Sequence, residues 1–303
     1  MFSLDVLCVG SVTVDTIAVV PGLPGADERV LAESIVTADG GPAATAAVAL
    51  ARLGVSVGFC GVVGNDAEGA RARERLQAEG VDTRYLVIDP DASTGRGLVL
   101  IPEGSIDRSI VASRAPAPAP SQVPVDVAGW VHTDQTGFGP ARAALSAAQG
   151  GSRLSVDGGN PLAAADWRGV DLYVPSVASL RAHYSGLETR AALTAALADG
   201  AGRVVATDGA NGAWVRDEDD AVFILGFAVE VTSTLGAGDV FHGALLAGLV
   251  AGHSLERAVL EANATAAISC RAMDGRSGIP ARDELTNFLA NRERDRSPAG
   301  AGQ

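Results

Sequence analysis

The chain opens on a short apolar run at residues 4–9, and a second run, 12–20, follows across Gly10-Ser11. Runs of this length, rich in Val, Leu and Ile, predict buried strands. After turn residues at 21–25, residues 29–36 read as a more exposed strand. Gly40-Gly41-Pro42 opens an Ala-rich run that ends at Leu53-Gly54. Proline just inside the start and glycine just past the end predict a helix there. Strand-like runs at 55–60, 85–88, 130–133, 153–157, 172–174 and 203–207 then alternate with helical patterns at 66–79, 140–149, 177–184 and 189–198. Two hairpins are predicted, one from 97–101 with 108–111 and one from 213–216 with 221–225. A strand at 228–231 and helices at 237–251, 255–270 and 281–291 complete the series. The stretch 113–124 carries four prolines and predicts an ordered surface connection. The tail 292–303, charged and then Pro/Gly/Ala-rich, predicts a disordered end.

Alternation of strand and helix over most of the length predicts an α/β fold, with a mostly parallel central sheet flanked by helices on both faces, in a single domain spanning 1–303. The runs at 12–20, 29–36, 97–101 and 108–111 do not fit that alternation and predict a small second sheet, a β lid over one end. Apolar types make up 47% of the 303 residues and charged types 19%, which supplies a full core and excludes global disorder. The net charge of −13 argues against binding nucleic acid or an anionic membrane. All 23 basic residues are arginine. Without lysine there is no Walker-A lysine, no protein-kinase β3 lysine and no Schiff base. Cys8, Cys60 and Cys270 lie far apart with no C-x-x-C, no basic leader precedes the first apolar run, and no uncharged apolar stretch reaches the roughly 18 residues of a membrane span. These features predict a cytoplasmic protein with reduced thiols.

Four stretches carry candidate chemistry. In the first, Thr232-Ser233-Thr234-Leu235-Gly236-Ala237-Gly238-Asp239 leads from a predicted strand straight into a helix. The backbone N–H groups of Gly236, Ala237 and Gly238 at the positive end of that helix form an anion hole. Asp239 in the first turn is either a mere complement to the helix dipole or a general base beside the hole. Phe241 stands where a Rossmann fingerprint needs glycine. The second stretch, Gly40-Gly41 with Thr45 behind it, is either a tight strand-to-helix turn or a surface where a polyol reaches main-chain groups. The third is Asp15, the one charge in an apolar strand, which is costly unless placed at a strand end or a site. The fourth, Thr207 to Gly212, is either a plain Gly/Asn turn or a ligand contact at the end of a predicted central strand, where α/β folds bind ligands. The histidines show no metal-ligand spacing.

Together these residues resemble the ribokinase-like (PfkB) carbohydrate kinase family over essentially the whole chain. Within that family, the wording of 40–54 (GGPAATAAVALARLG), 236–245 (GAGDVFHGAL) and 275–280 (GRSGIP) is most similar to sulfofructose kinase and its relatives. The resemblance implies transfer of the γ-phosphoryl group of ATP, with Mg2+, to the hydroxyl of a small sugar such as a ketose. Asp239 is the implied base and the glycine block the anion hole. It implies sugar contacts by Asp15, Gly40, Gly41, Thr45 and Asp134. It also implies nucleotide contacts by Thr207, Gly209, Gly212, Thr234 and Asn263, and a homodimer joined through the lid. Arg29, Arg96 and Arg108 lie on or beside lid strands, and an anionic sugar would need one of them, with Arg29 the candidate. Three departures stand out. Ser233 replaces an acid tied to a monovalent cation, which argues against potassium activation. Pro175-Ser176-Val177-Ala178-Ser179 lacks the Asn and Glu of the family's metal-organising stretch, leaving the metal ligands unassigned, and Thr45 replaces a common Asn. A nucleoside kinase shares the same blocks, and the lost polar groups leave room for a sugar-binding relative without catalysis.

Overall fold

The computed structural model describes residues 2–148, 150–162, 166–217 and 220–296. Thirteen strands occur among them: β1 (Leu4–Val9), β2 (Thr13–Val20), β3 (Ser34–Gly40), β4 (Val57–Gly64), β5 (Leu86–Asp89), β6 (Gly95–Pro102), β7 (Ser109–Ala112), β8 (Ala128–Thr133), β9 (Arg153–Gly158), β10 (Leu172–Pro175), β11 (Val204–Thr207), β12 (Gly212–Arg216) and β13 (Val222–Leu225). The helices are α1 (Pro42–Arg52), α2 (Ala67–Ala78), α3 (Phe138–Ala147), α4 (Val177–His183), α5 (Thr189–Ala198), α6 (Ala237–Val250), α7 (Leu255–Ser269) and α8 (Arg282–Arg296).

Nine strands form one sheet in the order β13-β12-β11-β10-β9-β8-β1-β4-β5. The pairs from β11 through β10, β9, β8, β1 and β4 to β5 are parallel, and β12 and β13 add an antiparallel edge. A parallel strand buried on both faces needs a continuous apolar run, and β4 (VGFCGVVG) is buried at every position. One face of the sheet packs against α1, α2, α6, α7 and α8, and the other against α3, α4 and α5. Strand order reverses between β1 and β8. The crevice outside the carboxyl ends of strands at such a switch point is the usual ligand site of an open α/β sheet.

The remaining four strands form the lid, in the order β3-β2-β6-β7. It is a mixed sheet, because β2 and β6 run parallel while the outer pairs are antiparallel. Its inner face buries Ile17, Ala38, Val99 and Ile101 against Leu235 and Met273. The lid therefore rests on the segment that leads into α6.

Three expectations need correction. The second lid strand in chain order spans 34–40 instead of 29–36. Its partner β2 ends at Val20, opposite the start of β3 near Ser34, so residues before 34 have no strand to pair with, and Leu31 stays 77% exposed. No strand forms at 228–231, where the chain leaves the sheet edge. There Ala228 O accepts from Arg292, and the Thr232 and Ser233 amides donate to Cys270 O. The last helix continues to Arg296, five residues into the expected tail, and 297–303 fall outside the described residues, as do Gln149 of the expected 140–149 helix and residues 218–219. The proline-rich stretch is irregular apart from a short turn at Pro120–Gln122.

Candidate active site

Helix α6 begins at Gly236, which takes φ +72° in the left-handed region. A side chain there would be strained, and an added Cβ would stand 2.8 Å from Gly275 Cα. The first N–H groups of any helix lack intrahelical partners, and here no side chain caps them. Gly238 is exposed, with open space where a Cβ would project. The helix start is thus an open, positively polarised surface of main chain.

Asp239 lies half-buried in the first turn beside this surface. Burial and the neighbouring Asp157 charge push its carboxyl up to about 7, with Asp134 adding to the shift and His242 and Arg276 opposing it. A carboxylate poised near neutrality is a much stronger base than a free one. One turn on, His242 Nε2 sits 3.1 Å from Asp157 Oδ1, and both side chains are buried. Burial alone would depress His242, yet the carboxylates of Asp157 and Asp239 carry it above the ordinary histidine value. Burial opposes ionisation of Asp157 too, but the imidazolium holds its carboxyl below the usual range.

On the lid side, Asp15 is clasped between two glycines. A Cβ on either Gly40 or Gly97 would run into its carboxylate. Burial raises the Asp15 carboxyl, while the Thr13 hydroxyl, Arg276 and the Gly97 backbone pull it down. Gly41 has φ +93°, and a Cβ there would collide with the backbone of Ser11 and Val12. Arg276 is 7% exposed and donates from Nη2 to Gly40 O (2.6 Å) and from Nε to Thr45 Oγ1 (3.2 Å). Burial lowers its pKa, against the pull of Asp39, Asp15, Asp239 and Glu79.

The fold brings Asp15, Gly40, Gly41 and Asp239 around one buried arginine, and other expected residues turn out to hold the walls. Thr45 is 2% exposed and receives Arg276. Asp134 has no exposed surface. It accepts from Ser11 N and Oγ (2.8 and 2.6 Å), Ala43 N (3.3 Å), Thr136 N (2.8 Å) and Gly137 N (3.0 Å), tying together the ends of β1 and β8 and the start of α1. Asn263 is buried, and its Nδ2 donates to Ile224 O and Leu225 O, pinning β13 to α7. Thr207 ends β11, and Gly209 and Gly212 turn the chain into β12 with positive φ. Arg29 sits in the exposed connection between β2 and β3, beyond Ser34. Six residues of β3 separate Ser34 from Gly40, about 20 Å of strand. Arg96 pairs with Glu68 at 2.8 Å, and Arg108 donates to Thr234 Oγ1 at 2.7 Å. Ser233 Oγ accepts from Leu235 N, and Ser176 and Ser179 bond to each other at the start of α4.

Sequence reasoning passed over Arg276, Gly97, Asp157 and His242 as site residues. Asp157 carries a signal like that of Asp15, a carboxylate at the buried end of a largely apolar strand. Nothing local to Arg276 or His242 distinguishes them from surface residues.

Residues 3–132 and 162–282 match the pfkB family of carbohydrate kinases. The chain is 26% identical over 295 residues to the ribokinase of Haemophilus influenzae, covering 92% of this chain and 96% of that protein. It is 30% identical over 310 residues to the ATP-dependent ribose-1-phosphate kinase of Halopiger xanaduensis, covering 95% and 98%. In fold it resembles the crystal structure of Thermotoga maritima ribokinase, with a TM-score of 0.85 at 23% identity over 95% of this chain and 100% of that one. The chain therefore belongs to the pfkB family of carbohydrate kinases, phosphotransferases whose members use ATP to phosphorylate the hydroxyls of sugars or nucleosides.

Proposed function

We propose that this protein transfers the γ-phosphoryl group of ATP to a hydroxyl of a small uncharged sugar, with Asp239 as the base. The observation that carries the reading is the juxtaposition of Asp239 with an uncapped, open helix start. ATP supplies the phosphoryl group and the leaving ADP. The backbone at 236–238 offers N–H groups to the phosphate oxygens, and the turn from Thr207 to Gly212 lies at the end of β11, where the nucleotide would rest. Asp15 and the half-buried main chain at Gly40 and Gly41 hold sugar hydroxyls, and Asp239 takes the proton of the attacking one. Positioning and charge stabilisation carry most of a phosphoryl transfer, and neither requires lysine. Among the described residues no cluster of three or more His, Cys, Asp or Glu could hold a metal. That suits Mg2+ bound chiefly through phosphates and water.

An uncharged acceptor is favoured by the two carboxylates that line the site and by the bonds the nearby arginines already make. Arg276 is engaged with Gly40 and Thr45, Arg71 and Arg75 pair with Asp39, Arg96 with Glu68, and Arg108 with Thr234. A sulfonate or phosphate near Asp15 and Asp239 would meet carboxylates. A panel of neutral, phosphorylated and sulfonated sugars with adenosine and inosine, read as ADP formation, tests the assignment. Turnover on a neutral sugar, reduced about 10²–10⁴-fold in Asp239→Asn, is expected. Preference for a nucleoside or an anionic sugar, or sugar binding without ADP formation, overturns it.

We also propose that the outer face of the lid joins two copies of the chain. Ile35, Leu98 and Val111 share that face at 67%, 55% and 68% exposure, an apolar patch that a monomer would leave in water. Leu98→Asp should convert a dimer to monomer in sedimentation; a wild-type monomer sinks the idea. No helix among the described residues is long and apolar enough to cross a membrane, and the three cysteines are free and buried, which supports a cytoplasmic location.

A further inference from the structure

We propose that Asp157 and His242 are positioning residues for Asp239, a buried ion pair beneath the first turn of α6 that sets how strongly the base attracts the acceptor's proton. This rests on the phosphoryl-transfer reading above. His242 follows Asp239 by three residues on α6, so the two side chains are neighbours on one side of the helix. Its Nε2 meets Asp157 Oδ1 at 3.1 Å. That oxygen also accepts from Gly159 N at 2.7 Å, which fixes the carboxylate at the end of β9. The other ring nitrogen, Nδ1, is buried with no hydrogen-bond partner. Stranding a buried polar atom is costly, so packing alone gives no reason for a histidine here, whereas its bond to Asp157 and its place one turn from Asp239 do.

The groups around the pair complete the picture. From β8, the His132 ring lies 5.5 Å from that of His242, with its Nδ1 3.2 Å from Ser155 Oγ. Burial and the His242 charge push His132 down to about 3, so it stays neutral. Asp134 stands at the end of β8, Arg276 approaches from the segment after α7, and Asp239 shares the helix. Within this set Asp157 strengthens Asp239 as a base, and the His242 imidazolium restrains it from taking a proton too early. The two charges act on Asp239 in opposite directions. A pair that merely packed would not.

The test is the pH profile of kcat/KM for the acceptor at saturating ATP, in wild type, His242→Gln, Asp157→Asn and the double variant. Removing the imidazolium should move the acid limb up by about one pH unit, and removing the Asp157 charge should move it down by about one. The double variant should fall between them. Limbs that stay put while melting temperature drops would overturn the proposal. Histidine proton NMR gives a second readout independent of activity and of either variant's turnover. His242 should titrate above the ordinary histidine value in wild type, and lower in both Asp157→Asn and Asp239→Asn. A His242 titration that is ordinary and unmoved by either change would also overturn it. Coupled titration in a chain that phosphorylates nothing would instead fault the kinase reading and leave the pair intact.

Discussion

Helices α1 and α6 both start from a glycine-rich turn, α1 straight after β3 and α6 after an irregular segment, they pack against each other, and the fold uses them in opposite ways. At α1, Gly41 is pressed against the Ser11–Val12 backbone and the Ala43 amide is taken by the buried Asp134 carboxylate. Its helix buries an unbroken run from Ala43 to Leu50. The end of α1 is closed, and the preceding main chain at Gly40 and Gly41 stays half-buried. At α6 no side chain reaches the helix start, Gly238 looks into open space, and the local acid lies half-buried beside it. A glycine pair ahead of a helix permits close approach. What approaches, protein or ligand, depends on whether the chain elsewhere supplies its own anion. Asp134 fills that place at α1, and no capping side chain fills it at α6.

The two carboxylates give the widest contrast. Asp239→Asn should cost about 10²–10⁴-fold in turnover while the fold persists. Asp239 sits above its unfolded value, so its contribution to stability is fullest below the ordinary carboxylate range and is lost as pH rises through about 7. At pH 8 the ionised group is unfavourable, and Asp239→Asn should melt no lower than wild type and somewhat higher. Asp134→Ala should do the reverse. It strands the amides of Ser11, Thr136 and Gly137, at about 1–3 kcal/mol for each buried group, and urea denaturation should report a loss of several kcal/mol.

The glycines sharpen the same contrast at smaller scale. Gly238→Ala adds a methyl in open space within a helix, which should leave stability unchanged or raise it by up to about 1 kcal/mol. The methyl would occupy phosphate space, however, so KM for ATP should rise about tenfold or more, a combination that separates a ligand surface from a packed turn. Gly236→Ala should lose about 1–2 kcal/mol from its left-handed φ alone, read by thermal melting. The smallest effect is in wild type: kcat/KM should fall on the acid side with a midpoint near 7, because Asp239 must be ionised to accept a proton.

Much of this was legible in the residues. Continuous apolar runs marked the parallel strands, Pro42 and Gly54 bracketed α1, and Asp66 marks the start of α2, where its carboxylate accepts from Gly69 N at 2.8 Å. The uncapped glycine turn into α6 and its acid were legible because all their parts lie within four consecutive residues. The second lid strand was misplaced by several residues because apolar content alone does not say where the partner strand ends. The roles of Thr45, Asp134 and Asn263 were misjudged for a related reason. A buried polar side chain and a ligand-facing one look alike in sequence, and only its neighbours show which of its bonds are already made.

The order of residues alone determined the α/β class, the lid and the glycine turn into α6, because each depends on periodicity or on neighbours within one turn of chain. Tertiary structure decided which acid is spent inside the protein and which is left for chemistry. It also set Arg276 behind Gly40, some 230 residues away in sequence, and a histidine against Asp157. Charges act through space at a few ångströms, and that distance is a property of the packed chain.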